Sequence, residues 1–214
     1  MQVWAVQLPG REARVREPAI SDLSAIVGEV AGQLEPLFDR PVAFFGHSMG
    51  AVIAFETARV LAARRALQLR HLFVSAYRPP SIPDPKPPIR QLPDDAMVAE
   101  IGRRYGGIPA AVLGEPELLA LLLPTLRADI TALETHRWVP GELLGCPITV
   151  FGGTDDATAP TPHLEEWRAM TTGPFRRQAF QGDHFYLTAQ RRALLAEVEA
   201  ALGPRAGMAR EHVG

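Results

Sequence analysis

The chain has 214 residues, of which 47% are hydrophobic, enough for one domain with a substantial core. Its net charge of -2 and pI near 6.3 exclude the basic surface expected for nucleic-acid or anionic-membrane partners. One cysteine, Cys146, precludes an internal disulfide, and we find neither a secretion signal nor an apolar run of about 18 to 20 residues. We therefore expect a cytoplasmic protein without a membrane span, with a monomer as the default.

The first third of the chain predicts two strands and two helices. Residues 3–6 form a short apolar run closed by a Pro-Gly pair, which is typical of a strand buried on both faces. Ser21 is the expected cap of a helix whose apolar residues recur at three- and four-residue steps as far as Leu37. A second apolar run at residues 42–45 leads into good helix formers at 51–65.

The middle of the chain interrupts this alternation. Residues 71–75 predict another buried strand, and the alternation with helices indicates a parallel sheet. Seven prolines follow within residues 79–93, which indicates an extended surface linker, and helices are predicted at 94–104 and 115–134. Such an insertion, about 79–137, is typical of a lid over a site at the sheet edge, although a purely structural helical cap would give the same pattern.

The last third returns to the strand and helix pattern. Strands are predicted at 147–151 and 176–180, and a helix at 186–202 with one apolar face that includes Leu195. The prediction is a single α/β domain over residues 1–202, with a mostly parallel sheet flanked by helices, followed by a flexible tail at 203–214.

A nucleophile motif lies at the second predicted strand-to-helix turn. Gly46-His47-Ser48-Met49-Gly50 has the GxSxG pattern, in which a serine occupies a strained turn and small neighbours relieve crowding. The position after a buried strand and before a helix favours a nucleophilic Ser48 over an ordinary Gly/Ser turn. The Met49 N–H, at the helix N-terminus, is then placed to donate to an oxyanion. These features predict a serine hydrolase of the α/β-hydrolase fold.

A serine nucleophile needs a histidine base and a carboxylate that orients it. Among six histidines, His184 follows the last predicted strand, whereas His47 adjoins the serine and is assigned to packing. Either Asp155 or Asp156 is placed to serve as the acid, and the frame Gly-X-X-Asp-X-X-X-Pro favours Asp156. No metal-ligand spacing and no nucleotide-binding motif is present, so we predict no cofactor.

Five segments in order resemble the type II thioesterases of polyketide and nonribosomal peptide biosynthesis. The resemblance implies an enzyme that needs no cofactor and frees acyl groups from the phosphopantetheine arm of an acyl or peptidyl carrier protein, as a stand-alone editing partner of the synthase. The segments are Leu8-Pro9-Gly10-Arg11-Glu12, Gly46-His47-Ser48-Met49-Gly50, Leu123-Pro124-X-Leu126-Arg127-Ala128-Asp129, Phe151-Gly152-Gly153 and Gly182-Asp183-His184-Phe185.

The sequence departs from this family at its N-terminus. Members carry an upstream strand and a His-Ala-Gly-Gly type loop, which supplies a second oxyanion N–H, before the segment that matches Val3. Loss of such a donor costs about a hundred- to a thousandfold in rate. We expect a start codon assigned downstream of the true one, the alternative being an inactive remnant that still binds the carrier protein. A general esterase or acyl-CoA hydrolase is the other alternative.

Overall fold

The computed structural model describes residues 2–64, 68–106, 108 and 110–203. Four parallel strands form one sheet in the order β1-β2-β3-β4, so every connection between neighbours is a crossover that carries helix. The strands are β1 Val42–His47, β2 Leu69–Ser75, β3 Ile148–Gly153 and β4 Phe175–Phe180. The helices are α1 Leu23–Leu34, α2 Met49–Ala63, α3 Asp94–Tyr105, α4 Ala110–Leu113, α5 Pro116–Thr135, α6 Thr161–Glu165, α7 Tyr186–Ala189 and α8 Arg191–Leu202.

The sheet is the middle layer of three. Because side chains alternate across a strand, Leu72 and Val74 of β2 face a core with Trp167, whereas Phe73 faces the opposite core with Leu194 of α8. The predicted parallel sheet between helical layers is therefore confirmed. The register places His47, Ser75 and Phe151 side by side, so the strands end at one common edge.

The predicted first strand at residues 3–6 is wrong. Residues 2–8 contain no strand, and Val3 and Trp4 are 77% and 61% exposed. This segment lies along α1 and pairs with no strand of the described sheet. An apolar run indicates a preference for burial, but a strand also requires a partner that satisfies its backbone groups.

The first helix begins with a different cap from the one predicted. Asp22, not Ser21, accepts a hydrogen bond from the Ala25 N–H at 2.7 Å. A carboxylate at this position also interacts favourably with the helix dipole, which explains the preference for the aspartate. The apolar face of α1 is buried as predicted, but Leu37 falls in a following 3-10 turn and is 43% exposed.

The predicted C-terminal helix consists of two helices, α7 and α8, separated by Gln190. Gln190 has φ -95° and ψ 16°, outside the helical region, which interrupts the helix at this residue. Leu194 is buried while Leu195, the next residue of the same helix, is 45% exposed, so the predicted apolar face was wrong at Leu195. Of the tail predicted at 203–214, residues 204–214 lie outside the described residues.

The helices predicted between β2 and β3 are confirmed as α3 and α5, and a short α4 was not predicted. Residues 79–93 contain neither helix nor strand, as the prolines indicated. The insertion has a small core of its own, formed by Ile89, Met97, Ile101 and Ile130. Within the described ranges, no helix is long and apolar enough to cross a bilayer.

Candidate active site

Ser48 lies in a strained turn between β1 and α2. Its φ of 53° and ψ of -122° are unusual for a residue with a side chain, and its N–H donates to the Ser75 carbonyl at 2.8 Å. Non-glycine residues hold such conformations only where the surroundings fix them, and this occurs mainly at functional sites. The turn presents the Ser48 hydroxyl at the edge where the strands end.

The two glycines of the motif serve different purposes. A Cβ at Gly46 would lie 2.0 Å from the Gly50 carbonyl oxygen, so only glycine lets the strand approach the helix this closely. A Cβ at Gly50 would meet nothing within 4 Å. The prediction that both glycines relieve crowding is therefore confirmed for Gly46 and wrong for Gly50.

The structure brings together the three side chains singled out in the sequence. Ser48 Oγ lies 3.0 Å from Nε2 of His184, and Nδ1 of His184 lies 2.8 Å from Oδ2 of Asp156. His184 and Asp156 are both buried, with 3% and 5% exposure. Asp155 is exposed, and its backbone N–H donates to the Gly182 carbonyl. Of the two candidate acids, Asp156 is the one beside the imidazole.

Thr158 was not identified from the sequence. Its N–H and hydroxyl both donate to Oδ1 of Asp156, at 2.8 and 2.6 Å. Burial raises the pKa of Asp156, but the hydrogen bonds from His184 and Thr158 outweigh it and hold that pKa below its ordinary value. The carboxylate is therefore ionised and oriented. A threonine two residues after an aspartate is the local signal that would have indicated this turn.

The loop that carries His184 packs tightly on the end of β3. A Cβ at Gly153 would lie 2.3 Å from the Asp183 carbonyl oxygen, so a glycine is required where strand and loop meet. The Asp183 side chain accepts a hydrogen bond from the Phe185 N–H at 2.8 Å, which stabilises the turn. This close contact fixes the position of the His184 backbone.

Met49 is the first residue of α2, so its N–H has no acceptor within the helix. The N-terminal end of the helix dipole adds positive potential at the same point. The site thus has one backbone donor adjacent to Ser48, as the motif predicts.

His47 packs beside the site, as its sequence position indicated. Its ring centroid is 5.1 Å from that of His184, and Nδ1 lies 2.9 Å from Oγ of Ser75. Burial lowers the pKa of His47 to about 4, so the ring is neutral near pH 7. Cys146 is a buried core residue, and burial raises the pKa of its thiol to about 11.

Three other histidines within the described ranges lie away from Ser48. His71 in β2 is hydrogen-bonded to Thr149, His136 follows the last residue of α5, and His163 is in α6. His212 lies outside the described residues. Among the histidines that the structure describes, His184 is the one whose imidazole is hydrogen-bonded to the serine.

The helical insertion reaches the site through Tyr105, the last residue of α3. Its ring centroid is 5.2 Å from that of His184. Nothing in the local sequence marks this residue, because only the packing of the insertion against the sheet edge brings it there. It gives the insertion a direct contact with the candidate base.

A hydroxyl, an imidazole and a carboxylate in hydrogen-bonded order can transfer the hydroxyl proton to the imidazole, which makes the serine a nucleophile. These side chains follow β1, β3 and β4 at the carboxyl edge of a parallel sheet flanked by helices. Fold and site together define an α/β-hydrolase.

Comparisons with known proteins place the chain within this class. The thioesterase-domain family matches residues 1–202. A probable cadicidin biosynthesis thioesterase of Streptomyces griseus is 42% identical over 203 residues, which cover 95% of this chain and 55% of that relative, so the chain spans about half its length.

Solved structures show the same relationship. RedJ, a thioesterase of prodiginine biosynthesis in Streptomyces coelicolor, is 39% identical with a TM-score of 0.84, covering 92% of this chain and 78% of that one. The type II thioesterase BorB of the borrelidin cluster is 35% identical with a TM-score of 0.81, with the same coverage of both chains. The chain belongs to the type II thioesterase family, and is a hydrolase of thioester bonds.

Proposed function

We propose that the chain hydrolyses acyl thioesters held on the phosphopantetheine arm of acyl or peptidyl carrier proteins, and thereby edits a polyketide or nonribosomal peptide synthase. The hydrogen-bonded order Ser48, His184, Asp156 carries the proposal. Relatives whose names place them in cadicidin and prodiginine biosynthesis support the choice of substrate.

In the acylation step, Ser48 Oγ attacks the thioester carbonyl carbon while its proton moves to Nε2 of His184. The negative charge on the carbonyl oxygen is stabilised by the Met49 N–H and the N-terminus of α2. The C–S bond then breaks, and the sulfur leaves with the electron pair and accepts the proton from His184. The thiol of cysteine has a pKa of about 8.5, and a leaving thiol of this kind needs little proton donation.

In the deacylation step, His184 removes a proton from water, whose oxygen attacks the acyl-serine ester. Collapse of this second intermediate releases the free acid and returns the proton through His184 to Ser48 Oγ. Asp156 stays ionised throughout, because it orients the Nδ1–H of His184 and stabilises the transient imidazolium. The cycle balances without any cofactor.

We propose that the insertion at residues 79–137 is a lid over the acyl site. The contact between Tyr105 and His184 supports this, because it places α3 against the base at the point where a bound acyl group would lie. A long thin substrate arm needs such a covered channel to hold the acyl group beside Ser48.

The test is hydrolysis of an acetyl-loaded carrier protein, followed by release of free acetate. Ser48→Ala should abolish release, and Asp156→Asn should lower kcat by about 10³ to 10⁴ because the imidazole loses its orienting acceptor. Asp155→Asn is the matched control and should retain activity, since Asp155 is exposed. Full activity in Ser48→Ala would refute the mechanism.

Substrate class is tested separately by comparing kcat/KM on acyl-carrier protein and on the corresponding acyl-CoA. A carrier-protein thioesterase should prefer the former, because only a protein offers contacts beyond the arm. Equal values would indicate a general acyl-CoA hydrolase. No labelling of Ser48 by a fluorophosphonate, together with retained carrier binding, would indicate a non-catalytic binding protein.

A further inference from the structure

Ser75, at the end of β2, contacts one residue next to the proposed nucleophile and one residue near the proposed base. It is fully buried, and its hydroxyl oxygen lies 2.9 Å from Nδ1 of His47 and 2.6 Å from the hydroxyl of Tyr186. His47 directly precedes Ser48, and Tyr186 follows His184 by two residues. One hydroxyl therefore links the turn that carries Ser48 to the loop that carries His184, which we call the base loop. We call His47, Ser75 and Tyr186 the Ser75 chain.

The protons of the Ser75 chain can be assigned by counting donors. If Tyr186 donates to Ser75 and Ser75 donates to Nδ1 of His47, both hydroxyl protons are used, and only Nε2 of His47 lacks a partner among the described residues. The reverse direction would leave the Tyr186 proton and Nε2 of His47 both unsatisfied. Unsatisfied buried groups are costly, so the first arrangement is favoured.

The Ser75 chain also sets the surroundings of His184. It holds the neutral His47 ring 5.1 Å from the imidazole that must become positively charged during the reaction. Tyr186 is 2% exposed and stacks on Phe180 at the end of β4, so the base loop is fixed on both sides. None of the three side chains contacts the reacting atoms in the proposed mechanism.

We propose that the Ser75 chain is a positioning network that keeps His184 within hydrogen-bond distance of Ser48. The inference rests on the proposed catalytic roles of Ser48 and His184. A single 3.0 Å hydrogen bond joins those two residues directly, and the Ser75 chain is a second connection between the same loops. Loss of this connection should slow the chemical step and leave substrate binding unchanged, because misplacement of a base affects the transition state only.

The experiment compares Ser75→Ala, Tyr186→Phe and the double variant. Each single variant should lower kcat by about ten- to a hundredfold with an unchanged KM. The double variant should be no slower than Ser75→Ala alone, because both changes break one chain. Tyr186→Phe keeps the ring and its packing, so it tests the network even if Ser75→Ala fails to fold.

Thr149→Val is the matched control. In the wild type, the Thr149 hydroxyl forms a hydrogen bond of 2.8 Å with Nε2 of the buried His71. This is a hydroxyl-imidazole pair in the same sheet, like Ser75 and His47, but it lies away from the base loop. It should lower the thermal unfolding midpoint and leave kcat unchanged. An equal loss of kcat in Thr149→Val would reduce the effect to general destabilisation and overturn the proposal.

The outcomes separate the two proposals. One outcome overturns the positioning network alone. In it, labelling by a fluorophosphonate depends on Ser48, but the folded variants Ser75→Ala and Tyr186→Phe have the same kcat as the wild type. Turnover or labelling that persists in Ser48→Ala overturns the proposed function and the network with it. A raised KM with unchanged kcat in Tyr186→Phe would also contradict the network.

Discussion

Two imidazoles on neighbouring strands, those of half-buried His47 and buried His71, pair with hydroxyl groups. His47 pairs with Ser75 and His71 with Thr149, and burial lowers the pKa of both histidines from 6.5 to about 4. Because their folded pKa lies below the unfolded value, the unfolded chain takes up protons that the folded protein does not. Each histidine therefore contributes stability that is complete above pH 6.5 and is lost as the pH falls towards 4.

We predict that the free energy of unfolding decreases between pH 6.5 and 4, with a contribution of up to about 3 kcal/mol from each of the two histidines. The double variant His71→Phe/Thr149→Val should show a smaller decrease, because one of the two groups no longer titrates. Urea unfolding at a series of pH values measures both. An identical pH dependence in wild type and variant would show that His71 is not buried and neutral.

At the residue scale, the sequence identified the groups that carry a motif. Ser48, His184 and Asp156 were chosen because each follows a predicted strand in the expected order. Thr158, Ser75 and Tyr105 were missed because their importance depends on what they contact. A serine at a strand end has no distinguishing signal until the fold places it between His47 and Tyr186.

At the scale of elements, α5 holds the insertion to the rest of the fold. Asp129 accepts two hydrogen bonds from Arg11, at 2.7 and 3.1 Å, and Thr125 donates to the Gly10 carbonyl. Further along, the Glu134 carboxylate accepts the Ile89 and Arg90 N–H groups of the proline-rich linker. The segments at residues 8–12 and 123–129, which both carry the family resemblance, therefore contact each other.

We predict that Arg11→Met destabilises the fold by about 1 to 3 kcal/mol at pH 7, because it leaves the Asp129 carboxylate without its cation. Burial already raises the pKa of Asp129, and Arg11 opposes this rise. The loss should diminish as the pH falls and Asp129 becomes protonated, and Arg11→Met/Asp129→Asn should recover part of it.

Arg14→Met is the control for this prediction. Arg14 forms a comparable pair with Glu17 in the same segment, but both side chains are exposed to solvent. Such pairs contribute little, so the unfolding midpoint should not change. Equal losses in the two variants would indicate that the contact with α5 adds nothing to stability.

At the scale of the whole molecule, stability is concentrated around the central strands. Trp167 is fully buried, meets Phe55 edge-to-face at 5.1 Å and donates to the Tyr77 carbonyl. By contrast, Trp4 lies on the exposed N-terminal segment beside α1. Two residues of the same type therefore lie at opposite extremes of burial.

We predict that Trp167→Ala lowers the free energy of unfolding by about 3 to 5 kcal/mol, whereas Trp4→Ala changes it by less than about 1 kcal/mol. The reason is that only Trp167 loses close-packed contacts and a buried hydrogen bond. Urea denaturation of both variants, followed by circular dichroism, is the measurement. A loss in Trp4→Ala comparable to that in Trp167→Ala would show that the N-terminal segment belongs to the core.

The sequence by itself determined the order of the four sheet strands and of the longer helices between them, the strained turn at Ser48 and the identity of its acid and base candidates, because hydrophobic periodicity and glycine requirements are local. Only the tertiary structure decided that residues 3–6 are not a strand, that Leu195 faces solvent and that Asp156 rather than Asp155 meets His184. The first depends on a neighbouring strand, and the third depends on the loop after β4, both distant in sequence. The second depends on which face of α8 packs against the core. Local preference states what a residue favours, and long-range contact decides whether that preference is met.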